Sequence, residues 1–96
     1  MRLEVITPEK KMFEGEVEAV QFPGVDGSFQ VLKGHAPIIS SLSEGKIKVD
    51  LINADKDYKD ASGLIESDAS NAKVIRMKIT GGVMEMRNDK IVVLAD

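Results

Sequence analysis

The sequence predicts an all-β protein that folds as a β-sandwich. Apolar and polar residues alternate with period two over several short segments, which is typical of strands with one buried face. Turn residues separate these segments at spacings of about eight to twelve residues, as in sandwiches and barrels. No long stretch combines helical apolar spacing with helix caps, so no helix is expected.

The first two strands are predicted on either side of a proline-containing turn at residues 7–11. In the second strand Val17, Ala19 and Gln21 share one parity, so these side chains are expected on the same face. Gly15 is expected to mark a bend or a bulge. Both strands are therefore predicted to be half-buried.

The next predicted strand lies between two turns that contain glycine, one at residues 23–27 and one at Lys33-Gly34. Pro23-Gly24 and Asp26-Gly27 predict a tight turn, because glycine adopts positive φ without steric cost. Alternation resumes over residues 28–32 and ends at Lys33-Gly34. The clearest alternation of the chain follows at residues 46–52, which predicts another half-buried strand.

A polar segment at about 53–72 is expected to be an insertion or an extended loop within a single domain of residues 1–96. Only Tyr58, Leu64 and Ile65 could anchor it. A structureless loop of this length is unusual in a compact domain, so part of it is expected to form a hairpin extension or a short helical turn.

Strand patterns return in the last quarter of the chain. Residues 74–79 and 83–86 alternate on either side of Gly81-Gly82, and Asn88-Asp89 predicts a two-residue hairpin turn into residues 91–94. The side chains expected in or near the core are Phe13, Val20, Phe22, Phe29, Ile47, Val49, Ile79 and Val93.

Composition excludes several classes of function. A net charge of -3 with interspersed signs provides no basic stripe for nucleic acid, and 4% aromatic residues provide no stacking platform. The chain has no cysteine, so disulfides and thiolate metal sites are excluded and a reducing compartment is expected. The N-terminus does not resemble a signal peptide, and no apolar run is long enough to span a bilayer. Membrane association is therefore expected only through a partner.

Few residues suggest catalysis or cofactor binding. His35 is the only histidine, and it is interpreted as a turn or contact residue rather than a base or a metal ligand. Nearby serines lack a nucleophile elbow, and glutamates at alternating positions are typical of a solvated strand face. The glycines open no helix, so they do not form a phosphate-binding motif. No catalytic residue, cofactor or metal is predicted.

Several short motifs occur in an order and spacing that one family shares. They read PGxxGxFxxLxGHAP over residues 23–37, then LxxGxI over residues 42–47, followed by Gly81-Gly82 and a final Leu94-Ala95-Asp96, with Thr7-Pro8-Glu9 near the start. Over nearly its whole length the chain resembles the epsilon subunit of rotary F-type ATP synthases. The resemblance covers the N-terminal domain only, without the C-terminal helical hairpin of many relatives.

The resemblance implies a β-sandwich of roughly ten strands and a non-catalytic role in the central stalk. Such a rotor subunit couples the gamma subunit to the membrane c ring of a proton- or sodium-translocating ATP synthase. It lies as a peripheral subunit at the cytoplasmic face of the bacterial inner membrane. No cofactor, nucleic acid or direct membrane contact is implied.

The resemblance also assigns two contact surfaces. Asp26, Gly27 and Ser28 match the loop that meets the c ring. Relatives often carry an acidic residue where Ser28 stands, so here Asp26 or uncharged hydrogen bonds must supply that contact. Thr7, His35 and Ser40 match positions on or near the face toward gamma, although turn or strand-end capping also explains Thr7 and Ser40.

Two alternatives remain from the sequence. A free-standing β-sandwich module that binds a peptide or a sugar explains the fold but not the motif series. A small hydrolase explains only His35 with its neighbouring serines.

Overall fold

The computed structural model describes residues 1–53 and 65–96, and these residues form nine β-strands and no helix. The prediction of an all-β chain is confirmed. In chain order the strands are β1 (Arg2–Ile6), β2 (Lys11–Gly24), β3 (Gly27–Leu32), β4 (Ile38–Leu42), β5 (Gly45–Leu51), β6 (Ile65–Ser67), β7 (Val74–Ile79), β8 (Gly82–Arg87) and β9 (Lys90–Ala95).

The strands form one continuous sheet that folds over into two layers. The first layer has the order β1-β9-β8-β4, and the second has β3-β2-β5-β7-β6. β1 and β9 are parallel, and the other pairs are antiparallel. The long strand β2 joins the layers, because its first half pairs with β1 and its last residue, Gly24, pairs with Leu42 of β4. The sandwich is thus closed along β2.

Two irregularities interrupt the pairing of β2, one near its start and one just after it passes from β1 to β5. The register against β1 shifts at Met12, and the register against β5 shifts at Glu18, so each is an extra residue on the β2 side. Gly15, where a bend or a bulge is predicted, pairs regularly with Leu3. The shift at Glu18 reverses which parity is buried, so Gln21 is exposed while Val20 is buried. The expectation for Gln21 is therefore wrong.

One hydrophobic core lies between the layers. Every predicted core side chain is buried except Phe29, which is half-buried and packs on the core edge. Its ring centroid lies 5.5 Å from that of Phe22, which is fully buried. Met77, Met84 and Met86 are also buried, so the alternating methionines fill the core rather than form a recognition surface.

The turn between β8 and β9 has the predicted geometry. Asn88 and Asp89 both have positive φ, 53° and 61°, which is the type I′ arrangement that two-residue hairpins favour. Their neighbours Arg87 and Lys90 pair directly. This turn sets the register that places Met84 and Met86 of β8 opposite the buried Val93 and Ile91 of β9.

Only part of the predicted polar insertion falls within the described residues. Its last third contains β6, which pairs with β7, and Ile65 of β6 packs against the core. Asp68 then organises the turn into β7: it accepts hydrogen bonds from the backbone and hydroxyl of Ser70 and forms a 2.9 Å ion pair with Arg76. Tyr58 and Leu64 lie outside the described residues.

Candidate interaction surface

The residues predicted to meet the c ring lie at the tip of the β2–β3 hairpin. Val25 and Asp26 form its two-residue turn between the paired glycines Gly24 and Gly27. Gly27 has a φ of 120°, and a Cβ on Gly24 would lie 2.6 Å from the Gly27 carbonyl oxygen. The glycines are therefore required for this tight approach. Asp26, Gly27 and Ser28 are all exposed.

This hairpin tip is bonded directly to β4. The Val25 amide donates to the Ser41 carbonyl at 3.2 Å, and the Ser43 amide donates to the Pro23 carbonyl at 2.7 Å. The Ser43 hydroxyl also donates to the Pro23 carbonyl, at 3.2 Å. These bonds, together with the Gly24–Leu42 pair, fix the tip to the edge of the first layer.

Thr7 organises the turn between β1 and β2. Its amide and its hydroxyl both donate to the Lys10 carbonyl, at 2.9 and 3.0 Å, and its hydroxyl accepts from the Lys10 amide at 3.2 Å. These bonds enclose Pro8 and Glu9. The capping interpretation therefore accounts for Thr7 without any partner.

His35 and Ser40 lie on either side of the start of β4. His35 is exposed in the loop after β3, and its Nδ1 lies 2.6 Å from the Ala36 carbonyl oxygen. Ser40 has the same inward parity as the buried Leu42 and is half-buried, and its hydroxyl donates to the Ser41 carbonyl at 3.2 Å. Ser41, by contrast, is exposed on the outer face.

The structure does not gather Thr7, His35 and Ser40 into one cluster. Two strands, β9 and β8, separate β1 from β4, so Ser40 lies about 14 Å across the sheet from β1, the strand that ends directly before Thr7. His35 lies before the start of β4, toward the opposite end of the layer from Thr7. The three residues mark separate positions around the first layer.

An exposed apolar patch crosses the outer face of this layer. Ile6, Leu94 and Val83 are successive partners on β1, β9 and β8, and Ser41 of β4 comes next in the row. The neighbouring row contributes two more apolar residues. We call this surface the outer apolar patch: the exposed Ile39, Val83 and Leu94 with the half-buried Ile6 and Val92.

Sequence reasoning missed the outer apolar patch. Its signal in the sequence is the run Val92-Val93-Leu94, in which outward positions are apolar as well as the inward one. That run alone cannot show the patch, because the row is complete only when β1 pairs with β9 and β4 pairs with β8, and both pairs join strands distant in sequence. The patch runs from Ile6, the neighbour of Thr7, to the edge strand that carries Ser40.

Carboxylate pairs on β2 are used in ion pairs. Arg2 contacts Glu14 at 2.8 Å and Glu16 at 3.3 Å, and Lys11 contacts Glu14 at 3.1 Å and Glu4 at 3.3 Å. The Arg2 guanidinium, with help from Lys11, lowers the pKa of Glu14 to about 2. A carboxyl group with so low a pKa stays ionised, so this cluster does not act as a general acid.

The same ion pairs predict a dependence of stability on pH. Because the pKa of Glu14 is lowered by folding, its contribution is present above its ordinary value of 4.5 and is lost as pH falls toward about 2. Arg76 and Ser70 lower the pKa of Asp68 in the same direction. We expect the free energy of unfolding, measured with urea, to decrease from pH 6 to pH 3 by less in Glu14→Gln than in the parent. An equal decrease in both proteins would contradict this assignment.

The hydrolase alternative gains no support from the geometry. The hydroxyls of Ser40 and Ser43 donate to backbone carbonyls, and within residues 1–53 and 65–96 no hydrogen bond joins a serine to His35. Those same residues contain no group of three or more potential metal-ligating side chains. The described residues contain no helix that is long and apolar enough to cross a membrane.

Comparison with known proteins identifies the family. The sequence profile of the family described as "ATP synthase, Delta/Epsilon chain, beta-sandwich domain" matches residues 1–75. The ATP synthase epsilon chain of Chlorobaculum tepidum is 37% identical over 79 residues, which cover 81% of this chain and 90% of that protein. The epsilon chain of Campylobacter jejuni is 43% identical over 79 residues, covering 82% of this chain and 57% of that protein.

A solved structure shows the same fold. A chain in the cryo-EM structure of the Tetrahymena thermophila mitochondrial ATP synthase central stalk and c ring aligns over 99% of this chain and 62% of its own length. The TM-score is 0.64 and the sequence identity is 15%, so this likeness concerns the fold alone. From the sequence matches, the chain belongs to the ATP synthase delta/epsilon chain family, as the β-sandwich domain of a non-catalytic subunit.

Proposed function

We propose that the chain is a rotor subunit of the central stalk that couples the gamma subunit to the membrane c ring of a proton- or sodium-translocating F-type ATP synthase. The curated relatives are named ATP synthase epsilon chains, and the structural neighbour comes from a central stalk and c ring. In this role the chain lies at the cytoplasmic face of the bacterial inner membrane and touches the membrane only through the complex.

The observation that carries this proposal is the direct bonding of the β2–β3 tip to β4. The tip holds Asp26, Gly27 and Ser28, which we assign to the c ring, and β4 holds Ser40, which we assign to gamma together with Thr7 and His35. A coupling subunit must pass torque between its two contacts without deforming. Backbone bonds at Val25 and Ser43 provide a short, stiff connection between them.

The mechanism on this proposal is mechanical. Rotation of the c ring pushes on the Asp26 carboxylate and the exposed hydroxyl of Ser28, and the hairpin tip transmits the force to β4. The remaining strands of the first layer pair with β4 through β8, so the force spreads across a hydrogen-bonded sheet rather than through one loop. No proton is transferred to or from this subunit in such a process.

The test is capture of gamma and of the c ring by the immobilised chain. Asp26→Lys reverses the charge at the tip, so we expect about tenfold weaker capture of the c ring with gamma binding unchanged. Ser41→Arg places a large cation on the outer face of β4, so we expect the opposite pattern. Ser41 is preferred to Ser40 because Ser40 is half-buried beside Met84, where arginine would disturb the fold.

Lys78→Glu serves as the matched control. Lys78 is exposed on the second layer, where it pairs across from Lys46, so the charge change leaves both assigned surfaces intact. Retention of both partners by Asp26→Lys and Ser41→Arg would contradict the assigned surfaces. Failure of the folded parent to bind either partner would contradict the function itself.

A further inference from the structure

We propose that Asp26 is a site of spontaneous covalent modification, where the side chain forms a cyclic imide with the Gly27 nitrogen and reopens as an isoaspartyl linkage. Asp26 and Gly27 are the one aspartate–glycine pair in the sequence. The reaction belongs to the chain itself and does not depend on the proposed function. Only its consequence for the c ring does.

The reaction consists of a dehydration followed by a hydrolysis. The Gly27 nitrogen bonds to Cγ of the Asp26 carboxyl group, and one water molecule leaves as the imide closes. Water then adds to one of the two imide carbonyls. If the bond from the nitrogen to the main-chain carbonyl carbon breaks, the chain runs through Cγ and a free α-carboxylate remains. The product therefore has the same mass as the parent, and no oxidant or other reactant is consumed.

The fold places this pair where the imide meets little hindrance. Asp26 is the second residue of the two-residue turn between β2 and β3, and it is exposed. No described atom lies within 4 Å of the position where a Cβ would be added to Gly27, so the ring has room to form. Since glycine has no side chain, its nitrogen is the least hindered nucleophile that can follow an aspartate.

The Asp26 carboxylate has no partner in the described part of the chain. No hydrogen bond or ion pair joins it to residues 1–53 or 65–96. Asp68, by contrast, accepts a hydrogen bond from the Ser70 hydroxyl at 2.8 Å and forms a 2.9 Å ion pair with Arg76. An exposed carboxylate without such partners exchanges between its rotamers, so it can approach the Gly27 nitrogen.

The β8–β9 turn provides an internal control. Asp89 is also the second residue of an exposed two-residue turn, but Lys90 follows it, so a side chain hinders the attacking nitrogen. The Asp89 carboxylate also lies 3.6 Å from the Met1 nitrogen, which draws it away from its own main chain. We expect Asp89 to remain an ordinary aspartate.

An isoaspartyl linkage changes the structure of the hairpin tip. It adds one carbon to the main chain between the paired residues Gly24 and Gly27. The turn then no longer has the length that aligns the Val25 amide with the Ser41 carbonyl, 3.2 Å away. We expect the Val25 amide to exchange its hydrogen faster in the purified isoaspartyl form than in the parent, and equal exchange would contradict this consequence. On the proposed function, the displaced carboxylate also weakens capture of the c ring.

The experiment incubates the folded full chain for several weeks at neutral pH, beside a synthetic peptide of residues 20–32 and the variant Asp26→Glu. Isoaspartate is located by digestion with mass spectrometry and quantified by enzymatic methylation of the isoaspartyl carboxylate. We expect it to accumulate at residue 26 in both the folded chain and the peptide. We expect the signal to be lost in Asp26→Glu, because the longer side chain must close a larger and less favourable ring.

Three results would overturn the inference. Isoaspartate in the peptide but not in the folded chain would show that the pairing of Gly27 with Gly24 prevents the reaction. Accumulation at Asp89 as fast as at Asp26 would show that the glycine and the free carboxylate do not matter. Persistence of the signal in Asp26→Glu would place the reaction elsewhere. Each result leaves the rotor role untouched, since capture of gamma and the c ring is measured on freshly prepared chain.

Discussion

Replacing Phe22 with alanine is expected to lower the free energy of unfolding by about 3–5 kcal/mol. Phe22 is fully buried in the C-terminal half of β2, where it pairs with Phe29 and follows the buried Val20. Its removal opens a cavity between layers that β2 itself connects, so the surrounding strands cannot move together to fill it. The measurement is urea unfolding of Phe22→Ala beside the parent.

Phe29→Ala is the control for this prediction. Its ring lies 5.5 Å from that of Phe22, but Phe29 is only half-buried at the core edge, so its removal should cost about 1–2 kcal/mol. The sequence pattern assigned both rings to the core, and the structure separates them. Equal losses for the two variants, or a loss below about 1 kcal/mol for Phe22→Ala, would contradict this arrangement.

Gly82→Ala is expected to destabilise the domain by about 3 kcal/mol or more. Gly82 opens β8 with a φ of 147°, a backbone conformation that residues with a side chain rarely adopt. An added Cβ would also overlap the carbonyl oxygen of Leu94 and lie 2.9 Å from the Ala95 Cα, and both neighbours are held in β9. Strain and overlap therefore act together, and urea unfolding measures their sum.

Gly34→Ala is the control, because it measures the cost of a positive φ to the free energy of unfolding without a steric overlap. Gly34 has a φ of 86°, and no described atom lies within 4 Å of the position where a Cβ would be added. We expect it to cost about 1–2 kcal/mol from conformation alone. If Gly82→Ala cost no more than Gly34→Ala, the close approach of β8 to β9 at this point would be wrong.

Much of the fold follows from local pattern, while the path of β2 does not. Alternation predicts the strands around Val49 and Ile79, and Asn88-Asp89 predicts its hairpin, because each depends on residues adjacent in sequence. The bulges at Met12 and Glu18 leave no comparable mark. Each depends on the register of β2 against a neighbouring strand, β1 at Met12 and β5 at Glu18, and so on the sheet rather than on residues adjacent in sequence.

The two candidate surfaces also differ in how far the sequence predicts them. The turn at Asp26 is evident from Pro23-Gly24 and Asp26-Gly27, and the structure places Asp26, exposed, in that turn. The outer apolar patch does not follow from the sequence pattern, because Ile6 and Ile39 come beside Leu94 and Val83 only through the pairing of β1 with β9 and of β4 with β8, which are distant in sequence. Alternation identifies Val83 as a strand residue, but it does not show whether a partner covers its outward face.

The central claim is that one folded domain holds gamma and the c ring at the same time, and simultaneous capture tests it most directly. The immobilised parent chain is loaded with gamma, washed, and then exposed to detergent-solubilised c ring. The account predicts that the c ring binds without displacing gamma, because the tip at Asp26 and the face of the first layer are separate surfaces joined by backbone bonds. Displacement of gamma by the c ring, or binding of neither by the folded chain, would contradict it.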